Sequence, residues 1–283
     1  MRARIEAPRT FILIGETQLL KKRTLTSLTV RLTSTVMALI AVNLVHARDD
    51  SVVRTKDVIL VHGAWADGSS WSKVIPLLQS RGFHVTAVQL PLTSVADDVA
   101  VVKRAIELDP GPLLLVGHSY GGIVITEAGN DPKVSGLVYI SAFAPDVGQS
   151  VSFLNALAAP TPITGQTRLN SGFLSLTPDG VRTDFAQDLP GLEQQTLAVT
   201  QGPVAQVAFD TSVTESAWHI KPSWYMVASE DRVISPELEA MMAEGIHAET
   251  TTVHSSHVIM LSQPGAVADF ITHAAHGRGR SPF

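Results

Sequence analysis

The stretch LLLVGHSYGGIVITEAGN, residues 113–130, sets an apolar run against a helix-like one and places a serine at the joint. Within it Gly117-His118-Ser119-Tyr120-Gly121 fits Gly-x-Ser-x-Gly. Read physically, residues 113–116 form a strand that turns sharply into a helix starting near Tyr120, and Ser119 sits strained on the turn with its hydroxyl exposed. Two residues before and two after that serine, the chain comes too close to itself for side chains, which is why glycine is wanted at 117 and 121. Gly122 then lets the helix pack close against the sheet. A serine presented in this way is a candidate nucleophile, provided that a base and an acid follow it in the chain.

Outward from this joint the same alternation of short apolar runs and helical periodicity continues. DVILVH (57–62) reads as a strand, and SSWSKVIPLLQSRG (69–82) as a helix with Trp71, Val74, Leu77 and Leu78 on one face. FHVTAVQL (83–90) is the next strand, and residues 94–109 a helix capped by Ser94 that buries Val95, Val99, Val102 and Ile106. Further strands are expected at 134–140, 221–229 and 248–254, with helices at 235–245 and 264–275. Alternating strands and helices imply a mostly parallel sheet covered on both faces, hence an α/β fold.

Between Phe143 and Ala217 the alternation breaks into a stretch rich in Pro, Thr, Gly and Gln. A structureless loop of that length is implausible in a compact domain, so residues 143–217 are expected to form a cap inserted over the sheet. Residues 276–283, HGRGRSPF with its preceding helix end, are expected to be a disordered tail.

The chain has 283 residues, 45% hydrophobic and 17% charged, enough for one large domain with a substantial core. It has no cysteine, which excludes a disulfide, a thiolate metal site and a cysteine nucleophile. Residues 2–31 carry seven basic groups and two acidic ones, and STVMALIAVNLVHA then runs apolar to Ala47. Basic region, apolar region and small residues at Val45 and Ala47 follow the order of a secretory signal, so residues 1–47 are expected to be a signal peptide and 48–283 the exported domain, periplasmic or secreted. The competing membrane anchor is disfavoured because a run of about 14 residues falls short of the ~20 a span needs, and no stable membrane association is expected after cleavage. Without residues 1–47 the balance is 14 basic against 24 acidic groups, a net charge of -10 instead of -5. Nucleic acid is therefore not an expected partner.

A serine hydroxyl needs a base to take its proton and a third group to orient the base. Active sites of open α/β sheets gather at the carboxyl ends of strands, and the order expected for this elbow is serine, acid, histidine. VASEDRV puts Asp231 at one strand end; Asp146, after YISAFAP, is the second candidate acid. TTVHSSHVIML offers His254, still in its strand, and His257, on the loop beyond, which is the expected base. His62 and His118 flank the joint as supporting residues. Acyl transfer also needs two backbone N–H groups aimed at the oxygen that becomes negative. Tyr120, after the serine, supplies one, and Ala64, beyond the tight turn at Gly63 in HGAWADGSSW, the other.

Residues 57–275 resemble the α/β-hydrolase superfamily, on the branch that holds small plant methylesterases and hydroxynitrile lyases. The segments that carry the resemblance are LVHGAWADGSSW, VTAVQLP, LVGHSYGG, DRVISPE and SHVIMLSQP. It implies Ser119, Asp231 and His257 as the catalytic triad, Ala64 and Tyr120 as the oxyanion hole, and no cofactor or metal. The family's usual sheet has eight strands; too little sequence precedes Asp57 for the first two, so six are expected. The cap aligns poorly with the family. The activity implied is hydrolysis of small, apolar esters through an acyl-enzyme, with two alternatives: cleavage of cyanohydrins, or a ligand-binding receptor that keeps the triad. Hydroxynitrile lyases similar to this chain carry threonine in place of Gly63 and lysine in place of Val258, which favours the esterase.

Overall fold

The computed structural model describes residues 55–277. The expected signal peptide, residues 1–47, and residues 278–283 of the expected tail lie outside the described residues. Six strands form one parallel sheet: β1 (Asp57–Val61), β2 (His84–Ala87), β3 (Leu113–Ser119), β4 (Val134–Ala142), β8 (Ser223–Ala228) and β9 (Glu249–Val253), in the order β2-β1-β3-β4-β8-β9. Their pairings are all parallel, from Asp57 with His84 at one edge to Ala228 with Val253 at the other, with the register of β3 on β4 shifting between Leu113 and Leu114 and between His118 and Ser119. The chain thus has an α/β-hydrolase fold built on six strands.

β3 is buried along its whole length and β4 nearly so, which is why they read as almost continuous apolar runs. The edge strands β2 and β9 are only half-buried and alternate, as expected of strands with one open side. Helices α1 (Ile75–Ser80), α2 (Val95–Leu108), α3 (Gly121–Ala128), α7 (Pro236–Gly245) and α8 (Pro264–His276) flank the sheet. The Ser94 hydroxyl caps α2 by accepting the N–H of Asp97, and Val95, Val99, Val102 and Ile106 are buried beneath it. The helix expected over 69–82 is broken instead. A 3-10 turn, Gly68–Trp71, is capped by the Asp67 side chain, and α1 begins only at Ile75 because Pro76 in its first turn fixes the start. Trp71, Val74 and Leu78 are still buried, since both pieces turn the same face to the core.

The segment between β4 and β8 includes the helices α4 (Val151–Asn155), α5 (Gly191–Thr200) and α6 (Gln206–Asp210), shorter helical turns, and a small antiparallel sheet, β5 (Thr167–Asn170), β6 (Phe173–Leu176) and β7 (Val204–Ala205). Ser171 and Gly172 join β5 to β6 with φ of 50° and 82°, the two left-handed residues that let a two-residue hairpin follow the twist of its strands. This segment is tied to the main body where the Trp65 indole donates to the Leu174 carbonyl at 3.0 Å and the Ala205 N–H to that of Leu92 at 2.8 Å.

The strand order reverses between β1 and β3: the chain leaves β1 for β2 on one side and returns to β3 on the other. Loops leaving the carboxyl ends of these two neighbours diverge, and a crevice opens between them. Gly63 and Ala64 lie on one of those loops and Ser119 and Tyr120 on the other.

Candidate active site

Ser119 is the last residue of β3 and has φ of 53°, the left-handed region that non-glycine residues rarely occupy. Held there, it turns the chain into α3 within two residues. The crowding around it is severe. A Cβ at Gly117 would lie 2.7 Å from the Gly121 carbonyl oxygen, and one at Gly121 would lie 2.7 Å from that of Val61. Strand, turn and helix reach this geometry only with glycine at both positions.

Asp231 and His257 are brought together from the loops after β8 and β9. The His257 Nδ1–H donates to Asp231 Oδ2 at 2.6 Å, with both side chains fully buried. Asp231 Oδ1 accepts the N–H groups of Val233 at 2.6 Å and Ile234 at 3.0 Å, so the carboxylate is fixed at both oxygens. With Nδ1 as the donor, the lone pair of the neutral ring lies on Nε2, which is buried and has no hydrogen-bond partner. No hydrogen bond joins that nitrogen to the Ser119 hydroxyl; such bonds are often long before substrate is bound and tighten afterwards.

The other candidates fall elsewhere. Asp146 pairs with His219 at 2.9 Å, half-exposed, and lines a different cavity from the one that reaches Ser119. His254 is largely exposed, 3.6 Å from Glu230.

Both flanking histidines serve as neutral braces. His62 donates from Nδ1 to the Gly63 carbonyl at 2.8 Å and accepts the Leu90 N–H at Nε2, 2.9 Å away, tying the loop after β1 to the segment after β2. Burial lowers its pKa. His118 donates from Nε2 to the His257 backbone carbonyl at 3.0 Å, and the two rings lie 4.7 Å apart. Burial, reinforced by the neighbouring His257, holds His118 well below the usual histidine range, so it stays uncharged.

Four residues that the sequence did not mark complete the surroundings. Phe185 packs its ring 5.4 Å from His257. Asp188 accepts the Ser256 N–H at 2.8 Å and so holds the loop next to the histidine. Asp98, buried on α2, accepts the Tyr120 hydroxyl at 2.7 Å and the Leu92 N–H at 2.8 Å. Glu239, fully buried on α7, lies against Asp231. The first two come from the inserted segment, and none has a local pattern that separates it from an ordinary surface or helical residue.

A cavity of about 400 Å³ opens onto Ser119, Ala64 and Tyr120. Trp65, Phe209 and Tyr120 form an aromatic wall, the Phe209 ring lying 5.8 Å from that of Trp65 and 5.9 Å from that of Tyr120, centroid to centroid. Phe143, Val151, Ile163 and Leu238 add aliphatic and aromatic surface, and among the described residues no charged side chain lines the space. The arrangement can hold an uncharged, largely apolar molecule with one reactive group at the serine. Among the described residues no group of three or more His, Asp or Glu side chains is gathered to hold a metal ion.

Comparison with known proteins identifies the family. Residues 58–270 match the alpha/beta hydrolase family. Methylesterase 2 of Arabidopsis thaliana is 25% identical over 251 residues, covering 77% of this chain and 95% of that protein. A carbendazim hydrolyzing esterase of Nocardioides sp. (strain SG-4G) is 34% identical over 124 residues, which span 38% of this chain and only 50% of that protein. The solved structure of polyneuridine aldehyde esterase superposes with a TM-score of 0.67 at 22% identity, covering 76% of this chain and 97% of the other, a likeness of fold. With the parallel six-stranded sheet, the left-handed serine at its switch point and a family match over most of its length, the chain belongs to the α/β-hydrolase family.

Proposed function

We propose that this protein is a serine hydrolase that cleaves small, uncharged, apolar esters. The observation that carries the reading is the buried Asp231–His257 pair, 2.6 Å apart, with His257 held by His118, the residue before a left-handed Ser119 that opens into an uncharged cavity. Ser119 attacks the ester carbonyl while His257 Nε2 takes the hydroxyl proton, and Asp231 holds the ring and stabilises the imidazolium. The oxygen that becomes negative is received by the N–H groups of Ala64 and Tyr120. His257 then returns the proton to the leaving alcohol, and water repeats the sequence on the acyl-enzyme. The relatives named as esterases support the ester bond as the target.

The side chains at 63 and 258 support hydrolysis over cyanohydrin cleavage. Gly63 has no room for a threonine, since a Cβ there would lie 2.7 Å from Ser119 Cβ, and Val258 is buried and supplies no cation to a departing cyanide.

The test is burst kinetics on p-nitrophenyl esters of increasing acyl length. A burst of alcohol followed by steady turnover is expected. Ser119→Ala and His257→Ala should each lower kcat by roughly 10⁴-fold or more, with little further loss in the double variant, because the residues act as a unit. Asp231→Asn should be severe and Asp146→Asn nearly silent. Single binding without turnover would instead make the protein a receptor, and Ser119-dependent cyanide release from mandelonitrile would make it a lyase.

The basic, apolar and small-residue order of residues 1–47 supports export of this enzyme. The chain recovered outside the cytoplasm of its native cell should have the mass of a protein beginning at Arg48; the uncut chain in the cytosol would refute this.

A further inference from the structure

Glu239 is a carboxyl group with no role in the mechanism above, and it is fully buried. It sits in the first turn of α7, next to Leu238, whose side chain lines the cavity. Its Oε2 accepts the Ala228 N–H at 3.2 Å, and its Oε1 meets no donor. Ala228 also accepts the Asp231 N–H at 3.3 Å, so the two acids are held on one residue, and the group that Glu239 faces is the carboxyl of Asp231. The other titratable neighbour, the Tyr225 hydroxyl on β8, is taken up by Ala142, accepting its N–H at 3.1 Å and donating to its carbonyl oxygen. Among the described residues no Lys, Arg or His forms an ion pair with Glu239.

Two adjoining carboxyl groups in a dry interior do not both ionise; the one with more donors keeps the charge. Asp231 has three donors, the N–H groups of Val233 and Ile234 and the His257 imidazole. Glu239 has one. Burial and the Asp231 charge together hold the Glu239 carboxyl well above the ordinary range, which agrees with that ordering. The donorless Oε1 is then the oxygen that carries the proton.

We propose that Glu239 is a positioning residue of the site: as a neutral carboxylic acid it donates its O–H to the Asp231 carboxylate and fixes the group that orients His257. The proposal rests on the reading of Asp231 and His257 as the acid and base. Its consequence is that Asp231 is restrained by backbone, imidazole and Glu239 together, and that the O–H draws charge away from the face that meets the imidazole. Glutamine reproduces both contacts, since its carbonyl can accept the Ala228 N–H while its amide donates to Asp231. Methionine fills the same space and supplies neither.

The full-length protein, E239Q and E239M are compared by infrared difference spectroscopy and by the pH profile of kcat/KM on a p-nitrophenyl ester. The unmodified protein should show the C=O stretch of a buried protonated carboxyl near neutral pH that vanishes in E239Q. E239M should lower kcat roughly tenfold and move the acidic limb of the profile to higher pH, because an undonated Asp231 attracts the imidazole proton more strongly. E239Q should restore the limb and most of kcat. Absence of the carboxyl band, or an E239Q limb displaced to lower pH, would mean that Glu239 is ionised and would overturn the proposal. Should E239M fail to fold, the infrared band and E239Q still decide. If Ser119→Ala retains turnover, the triad reading falls, while the infrared band still reports the Glu239 proton separately.

Discussion

Gly63 shows how closely the two loops of the crevice are fitted to each other. A Cβ at this position would lie 2.7 Å from Ser119 Cβ, 3.0 Å from His118 Nδ1 and 3.1 Å from the His118 carbonyl oxygen. The carbonyl belongs to the backbone of β3 and cannot give way as a flexible side-chain tip would. The loop after β1 must therefore shift, and with it the N–H of Ala64, the next residue. Gly63→Ala is expected to cost about 1–3 kcal/mol of stability from overpacking. The larger effect is on kcat, because misdirecting one oxyanion donor can cost about 2.7–4 kcal/mol, or 10²–10³-fold. Stopped-flow acylation and a thermal melt on the same sample separate the two; an unchanged acylation rate would mean that Ala64 is not a donor. As candidates, Ser119, Asp231 and His257 are legible in the sequence for one reason: each stands at or just past a strand end, where apolar pattern gives way to a polar residue. Asp98, Glu239, Phe185 and Asp188 were not legible. Their roles arise from what folding places opposite them, which no local spacing encodes.

At the scale of elements, α2 is coupled to the serine turn through one buried carboxyl. Asp98 is flanked by Val95, Val99 and Val102 on the buried face of α2, so its neighbours hide it in an otherwise ordinary helical pattern. It accepts the hydroxyl of Tyr120, whose N–H is a proposed oxyanion donor. Burial pushes its pKa up to about 6, against the pull of its bonds to Tyr120 and Leu92. An unfolded aspartate titrates near ~3.9, so between about pH 4 and pH 6 the folded protein holds a proton that the unfolded chain has lost. Stability from this group is therefore fully present at the acid end, falls as pH rises through that window, and is lost above it. Asp98→Asn has no such term. The melting temperature of the variant minus that of the unmodified protein should rise from pH 4 to 6 and then level off. A difference constant from pH 4 to 7 would show that Asp98 ionises freely in the folded state. The long elements were otherwise readable: α2 with its serine cap, and the central strands with their unbroken apolar runs. The small sheet of the inserted segment is not legible because β5 and β6 are four residues each, β5 mostly exposed and β6 only partly buried, too short for a period to show. Its one local signal was the Ser171-Gly172 pair, a hairpin turn in hindsight of the φ values.

At the scale of the whole molecule, two features act on the charge of a substrate and they differ in range. Residues 48–283 carry a net charge of -10, whose field depletes anions around the protein and is screened by salt. Among the described residues none that lines the cavity at Ser119 is charged, so an ionised group that enters it loses its water without gaining a partner, and salt does not relieve that cost. Methyl hexanoate and the monoanion of monomethyl adipate are close in size and differ in one carboxylate. At an ionic strength near 0.01 M, where the Debye length is about 30 Å, both effects oppose the anion, and its kcat/KM should be lower by roughly 100-fold or more. Near 0.15 M the Debye length falls to about 8 Å, and the part of the gap that comes from the field should close, by up to roughly tenfold. The remainder should persist at any salt concentration, because it belongs to the cavity. A gap that closes completely with salt would assign the discrimination to the surface alone. Equal kcat/KM for the two esters at low salt would mean that the reacting ester is not bound in this uncharged space at all.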